Sequence, residues 1–163
     1  MNLRRLALVA ALFTAAPAAF AATATDQFDV SINVQNACTV VAADLGFGTQ
    51  TSLAANVDAQ ANVVVACTNT GGAYSLALNA GAGTGATTAV RKMTNGASTI
   101  NYALYSDTAR TTLFGDGTNG STVVTGGSLA NTQTITVFGR VPSGQGSKPV
   151  GVYTDTVTAT LTY

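Results

Sequence analysis

Few side chains in this sequence could perform catalysis. The 163 residues include no histidine, no glutamate, two cysteines and seven aspartates. General acid–base and nucleophilic catalysis draw mainly on His, Glu, Asp, Cys and Lys. A Ser–Lys pair is possible in principle, but Lys92 and Lys148 both lie beside turn residues. The aspartates are scattered near turns, where their side chains commonly bond the backbone. The composition therefore predicts a protein that is not an enzyme, with no catalytic residue and no cofactor.

Cys38 and Cys67 form the pair with the best-defined chemistry. In an oxidising compartment the default for two cysteines is one disulfide. Closing the loop of about 30 residues between them would stabilise the fold by about 3–4 kcal/mol on the chain-entropy estimate. The alternative is a metal pair, but two thiolates without a histidine leave a zinc site short of ligands. We therefore expect a disulfide and no metal.

Two further motifs have ordinary structural interpretations. The Gly-rich stretch at residues 115–120 lacks the lysine of a phosphate loop and the spaced acids of a calcium loop, so it predicts a hairpin tip. Arg110 follows a predicted strand. We favour its pairing with Asp107 or with turn carbonyls over a role in ligand binding.

The N-terminus has the pattern of an export signal. Two arginines precede an apolar run, and residues 19–21 form a small-x-small cleavage site. Cleavage after Ala21 would leave 142 residues, enough for one domain, with five Lys or Arg against seven Asp and a net charge of −2. Such a weakly charged chain lacks the excess of positive charge with which proteins bind nucleic acid or an anionic membrane. No later segment is long and apolar enough for membrane insertion.

The elements that must position these residues are β-strands. Helical periodicity is nearly absent; residues 52–62 could form a helical turn, although their composition favours a loop leading into a strand. Alternating or Val-rich runs predict strands at residues 39–42, 61–68, 73–78, 100–105, 134–141 and 152–163. Clusters of Gly, Asn, Asp and Ser separate them, which is typical of a β-sandwich or barrel.

A further alternating run, residues 28–34, lies just behind the signal. Its apolar members share one face of a predicted strand: Phe28, Val30, Ile32 and Val34. Together they could contribute about 6–12 kcal/mol if fully buried, as an upper bound. The strand could complete its own domain, or it could fill an open groove in another copy. The second arrangement is head-to-tail and builds a fibre. The final predicted strand reaches the last residue with nothing after it to cover its edge, which leaves room for either arrangement.

The sequence resembles the spore coat protein U domain family, which includes the subunits of archaic (Csu-type) chaperone–usher pili. The resemblance covers essentially the whole chain behind the signal. It is carried, in order and at matching spacings, by residues 28–40, 62–67, 101–111, 114–117, 137–142 and 151–163.

The resemblance implies an all-β fold, an incomplete immunoglobulin-like β-sandwich of the pilin type stabilised by the Cys38–Cys67 disulfide. The implied organisation is a signal peptide at 1–21, an N-terminal donor-strand segment at 22–36 and the sandwich at 37–163. Residues 25–34 would act as donor, with Phe28, Val30, Ile32 and Val34 entering a partner's pockets. The acceptor groove would be lined in part by the C-terminal strand, through Tyr153, Val157, Ala159, Leu161 and Tyr163. Asp155 shares the parity of Val157, so either it lies outside the groove or the strand bulges there.

The implied function is that of a structural subunit of a surface pilus that serves adhesion or biofilm formation. Its partners would be other pilus subunits, a periplasmic chaperone and an outer-membrane usher. The chain would pass through the periplasm to the cell surface. The alternative is a self-complemented, secreted spore-coat or matrix protein of the same fold.

Overall fold

The computed structural model describes residues 21–68, 72–126 and 132–163, and the chain divides into two units, residues 1–33 and 34–163. Nearly all of the predicted signal peptide lies outside the described residues. In the first unit, residues 21–33 are exposed and form no helix or strand. The strand predicted at residues 28–34 is therefore not formed in this chain, because no ladder partner among the described residues pairs with it.

The described residues of the second unit form eight strands. They are β1 (Cys38–Ala42), β2 (Val57–Cys67), β3 (Tyr74–Leu78), β4 (Arg91–Asn95), β5 (Ser98–Tyr105), β6 (Val124–Gly126), β7 (Gln133–Val141) and β8 (Ala159–Thr162). A five-stranded sheet has the order β1-β2-β7-β5-β4, and a three-stranded sheet has the order β6-β3-β8. All pairings are antiparallel. The predicted all-β, two-sheet fold is confirmed.

The core lies between the inward faces of the two sheets. Alternate residues of the central strands are buried there, as the alternation in β3 and β5 predicts. The buried apolar residues are Val63, Val65, Tyr74, Leu76, Leu78, Ile100, Tyr102, Leu104, Phe114, Val137 and Val141.

From Cys38 onward, the predicted strands match the observed ones except for the start of β2, the two strands β4 and β6, and the C-terminal segment. Strand β2 begins at Val57, so most of the ambiguous stretch at residues 52–62 belongs to a strand. Strands β4 and β6 were not predicted, because β4 begins with Arg91 and Lys92 and β6 is only 3 residues long.

The third difference concerns the C-terminal segment, which is not one continuous strand. Thr154 pairs with Thr94 of β4 in the larger sheet, whereas Ala159–Thr162 pairs with β3 in the smaller one. The chain therefore changes sheets between these points. The prediction of a single strand over residues 152–163 is wrong, because side-chain alternation continues across the change of partner.

Arg91 is completely buried and holds the ends of several elements together. Its Nε donates to the Asn79 carbonyl at 2.9 Å and its Nη1 to the Thr88 carbonyl at 2.9 Å. Its Nη2 donates to the carbonyls of Leu78 at 3.2 Å and Phe114 at 3.0 Å. Burial lowers the pKa of this guanidinium from its ordinary value.

Candidate functional site

The predicted disulfide is confirmed. Cys38 and Cys67 lie directly opposite each other in the β1–β2 ladder, with their Cα atoms 4.0 Å apart. The bond fixes the start of β1 to the end of β2. Because these are the two cysteines of the chain, neither thiol is free.

A groove of about 520 Å³ opens within the second unit. One wall is formed by the last residue of β1, Ala42, and the residues after it as far as Phe47. The other wall is formed by residues 153–157, which precede β8, and by Ala159 at its start. Its floor consists of core side chains of the strands between them: Ala61, Val63, Leu78, Met93, Tyr102, Leu104 and Val137. The floor of the groove is therefore apolar and reaches the core, whereas its walls also carry polar residues: Asp44, Thr154, Asp155 and Thr156.

The β8 side of the groove has a free backbone edge. Among the described residues, β8 pairs only with β3. The Asn79 amide donates to the Thr158 carbonyl, so the backbone groups of Thr158 point toward β3. Backbone groups alternate in direction along a strand. Those of Val157, Ala159 and Leu161 therefore point the other way, to the open edge.

The β1 side has a similar edge. In the described part of the chain, β1 pairs only with β2. The Ala43 amide donates to the Asn62 carbonyl, so Ala43 points its backbone groups toward β2. By the same alternation, the backbone groups of Cys38, Val40 and Ala42 point away from β2. An extended chain has hydrogen-bonding groups available on both of these edges.

The predicted acceptor residues divide into two groups. Tyr153, Val157 and Ala159 line the groove. Leu161 packs against the same core without lining the groove, and Tyr163 is 58% exposed. The structure thus brings three of the five acceptor residues into the groove wall.

Asp155 also lines the groove, contrary to the expectation that it lies outside or on a bulge. Its Oδ2 accepts a hydrogen bond from the Tyr102 hydroxyl at 2.7 Å, and its Oδ1 accepts from the Ala82 amide at 2.7 Å. Burial, together with this hydrogen bond to Asp155, raises the pKa of Tyr102 far above its ordinary value. The Asp155 side chain can point inward because the Tyr102 hydroxyl and the Ala82 amide donate hydrogen bonds to its carboxylate there.

The four predicted donor side chains are all exposed. The exposed fractions are 86% for Phe28, 84% for Val30, 88% for Ile32 and 69% for Val34. Exposed apolar side chains at every second position of one segment are a feature of the kind that marks an interaction site.

Sequence reasoning missed the β1 wall of the groove. Leu45 and Phe47 line it, and the Phe47 ring meets Tyr102 edge-on at 6.1 Å between centroids. A Cβ on Gly139 would lie 2.9 Å from atoms of both Leu45 and Phe47, so a glycine in β7 leaves room for them. The spacing of Leu45 and Phe47, two residues apart, was the available signal.

The Arg110 guanidinium donates hydrogen bonds to a turn carbonyl, that of Thr108, and to a strand carbonyl, that of Gly139. The predicted pairing with turn carbonyls is therefore confirmed. Arg110 Nη1 donates to the Thr108 carbonyl at 3.1 Å, and the guanidinium lies 5.8 Å from the centre of the Phe138 ring. Its ion-pair partner is Asp58, at 3.4 Å, and not Asp107. Asp107 instead accepts hydrogen bonds from the amides of residues 111 and 112.

The Gly-rich stretch at residues 115–120 is a turn. Within it, Asp116 accepts hydrogen bonds from both the amide and the hydroxyl of Thr118. Across the described ranges, no group of three or more His, Cys, Asp or Glu side chains could hold a metal ion.

A model of the Spore Coat Protein U domain matches residues 24–160, which is most of the chain. The chain belongs to this family. Its fold is similar to that of a solved structure, the CsuC–CsuE chaperone–tip adhesion subunit pre-assembly complex from archaic chaperone–usher Csu pili of Acinetobacter baumannii. The TM-score is 0.55 at 22% sequence identity, and the match covers 80% of this chain and 40% of that chain.

A search of curated protein sequences found no match. Within the family's matched region and the rest of the described chain, no helix is long and apolar enough to cross a membrane.

Proposed function

We propose that this member of the Spore Coat Protein U domain family is a structural, non-enzymatic subunit of a surface pilus that polymerises by donor-strand exchange. The observation that carries the proposal is the groove between two free backbone edges, one on β1 and one on β8. A strand laid in the groove, between residues 42–47 and residues 153–159, could bond the backbone on either side, the mode of binding known as strand addition.

The donor in this proposal is residues 25–34 of the next subunit. Four exposed apolar side chains recur at every second position in it, and the floor of the groove is built from apolar core residues. Burying all four would contribute on the order of 6–12 kcal/mol as an upper bound. The contact joins two different surfaces, so it does not close on itself and extends into a fibre.

The assembly partners follow from the same groove. A periplasmic chaperone would lend it a strand first, and at an outer-membrane usher the next subunit's donor segment would replace that strand. The similar structure is itself a complex of a chaperone with a pilus subunit before assembly, which supports this order. Residues 1–21 would be the export signal, 22–36 the donor segment and 37–163 the acceptor domain. The assembled pilus would serve adhesion or biofilm formation at the cell surface.

A matched pair of substitutions tests the proposal. Ile32→Asp places a charge on the apolar face of the donor, and Ser31→Asp places the same charge on its polar face. Exported wild-type protein and Ser31→Asp should run as a ladder of SDS-resistant multimers that collapses to monomer on boiling. Ile32→Asp should still bind its chaperone and form no ladder.

Two results would contradict the proposal. One is a wild-type chain that remains a stable, monodisperse monomer without a ladder. The other is an Ile32→Asp chain that misfolds before it meets a chaperone. Either result would favour the alternative, a self-complemented coat or matrix protein.

A further inference from the structure

Residues 155–158 form the part of the groove wall where the C-terminal segment changes sheets. Thr154 still pairs with β4, and Ala159 begins β8. The four residues between them form no strand. Val157 nevertheless lines the groove, and its backbone groups point to the open edge. Other bonds must therefore hold this stretch of the wall in place.

Asn79, the residue after β3, bonds the wall in an unusual way. Its amide donates to the Thr158 carbonyl at 3.1 Å. In a hydrogen-bonded antiparallel pair, the partner's amide returns a bond to the backbone carbonyl. The Asn79 carbonyl is instead occupied by Arg91 Nε at 2.9 Å, and the Thr158 amide donates to Asn79 Oδ1 at 2.9 Å. The side-chain oxygen thus replaces the backbone carbonyl and extends the β3 pairing by one residue, into the groove wall.

The same oxygen shapes the loop that follows. Asn79 Oδ1 also accepts a hydrogen bond from the Gly81 amide at 3.1 Å, as in an Asx turn, and its two lone pairs allow both bonds. The next amide, that of Ala82, donates to Oδ1 of Asp155 at 2.7 Å. A Cβ on Gly81 would collide with the Asp155 side chain, and the φ of 83° at Gly81 suits glycine. The loop therefore bonds this part of the wall at both of its ends.

A side chain outside the groove lining therefore controls the backbone that a bound strand would pair with. Without Asn79 Oδ1, the Thr158 amide has no acceptor at this position, and the turn that presents the Ala82 amide loses its bond. Residues 155–158 would then be free to leave the position in which Val157 offers its backbone groups. The apparent affinity for a strand falls with the fraction of molecules whose binding surface is in place.

We propose that Asn79 is a positioning residue for strand binding, whose side chain fixes the groove wall so that the donor segment of a second copy of this chain can pair with it. The inference rests on the proposed function, because it takes the donor segment as the occupant of the groove. It adds a residue that sets the affinity of the groove without lining it.

The test titrates full-length chains with a fluorescently labelled synthetic peptide of residues 24–34 and measures the concentration at half-saturation by fluorescence anisotropy. Asn79→Ala should require about tenfold more peptide, the effect that one lost hydrogen bond can have. Asn79→Asp keeps an acceptor oxygen at the same distance from the backbone and should bind like the wild-type chain. Asn56→Ala is the matched control, because Asn56 Oδ1 also accepts an exposed amide, that of Ser143 at 2.8 Å, away from the groove.

Two further readouts separate positioning from general stability. Hydrogen exchange at the Thr158 amide should be faster in Asn79→Ala and return to the wild-type rate in Asn79→Asp. The urea midpoints of the peptide-free Asn79→Ala and Asn56→Ala chains should be similar, although only the first binds weakly. If Asn79→Ala does not fold, Asn79→Ser decides the question, because its hydroxyl can keep the turn bond to Gly81 but is too short to reach Thr158. It should bind as weakly as expected for Asn79→Ala.

The outcomes distinguish this inference from the proposed function. Wild-type affinity in Asn79→Ala, or in Asn79→Ser where that variant is needed, overturns the role of Asn79 alone. So does an Asn79→Asp chain that binds no better than Asn79→Ala, or an Asn56→Ala chain that is weakened equally. A wild-type peptide that does not bind the folded wild-type chain overturns the proposed function, and this inference with it.

Discussion

Replacing the buried Arg91 should cost the fold more than replacing any exposed charge. Three of its four hydrogen bonds are fully buried, to the carbonyls of Thr88, Leu78 and Phe114. Arg91→Met leaves these three acceptors without a donor, at about 1–3 kcal/mol each. Relief from burying a guanidinium offsets part of this cost. We therefore expect a loss of about 3–5 kcal/mol in the free energy of unfolding.

Urea unfolding of the oxidised protein, followed by tyrosine fluorescence, measures this loss. At a slope of about 1–3 kcal/mol per molar urea, the midpoint should fall by roughly 2 M. Arg140→Met is the matched control, because Arg140 forms an exposed ion pair with Asp58 at 2.7 Å, and its midpoint should barely move. Equal midpoints for the two variants would refute the claim that Arg91 holds these elements together.

Three further effects should be measurable. Replacing Cys38 and Cys67 by serine should lower the free energy of unfolding by about 3–4 kcal/mol, and intact-mass measurement of the wild-type chain without reductant should find no alkylatable thiol. Hydrogen bonds, first from the amide of residue 112, hold the pKa of Asp107 below its ordinary value of 3.8. The ionised carboxylate therefore stabilises the fold fully above that pH, and this contribution is lost as the pH falls through the lowered pKa. Asp107→Asn should flatten the acid side of the stability–pH curve, measured by urea unfolding at a series of pH values. Gly139→Ala should lower the thermal midpoint, at a cost of about 1–3 kcal/mol in stability, because the side chains of Leu45 and Phe47 must shift to make room for the methyl group. An unchanged midpoint would mean that these two side chains move without a cost in stability.

The sequence predicts the central strands well because one face of each is buried. In β3 and β5, apolar residues recur at every second position and are the ones the core contains. Strand β4 cannot be predicted in this way, because its buried residue is Arg91, a charged side chain that bonds the carbonyls of other elements.

The same periodicity explains the error at the C-terminus. Side chains alternate in and out from Tyr153 to Leu161, although the chain pairs with β4 at Thr154 and with β3 from Ala159. Alternation reports which side of a strand is buried, and it does not report which strand lies beside it.

The candidate site could be predicted only in part for a related reason. The donor segment and the C-terminal wall can each be predicted from the alternation of apolar residues within a single short segment. The setting of Asp155 depends on Tyr102, 53 residues away, and on Ala82, 73 residues away. Such distant partners are brought together by the sheets and leave no local signal.

The most direct test of strand exchange is a cysteine cross-link between two copies. One copy carries Val30→Cys and one tag, and the other carries Ala159→Cys and a second tag. The register tested sets Val30 opposite Ala159, and in that register oxidation of co-assembled protein should join the two tags in one disulfide-linked species. Phe28→Cys, Ile32→Cys and Val34→Cys, each combined with Ala159→Cys, test the neighbouring registers. Ser31→Cys, on the polar face of the donor, should not form this link with Ala159→Cys. Double-cysteine chains that link only within one polypeptide, or a set of four donor positions none of which links to Ala159→Cys, would contradict donor-strand exchange between copies.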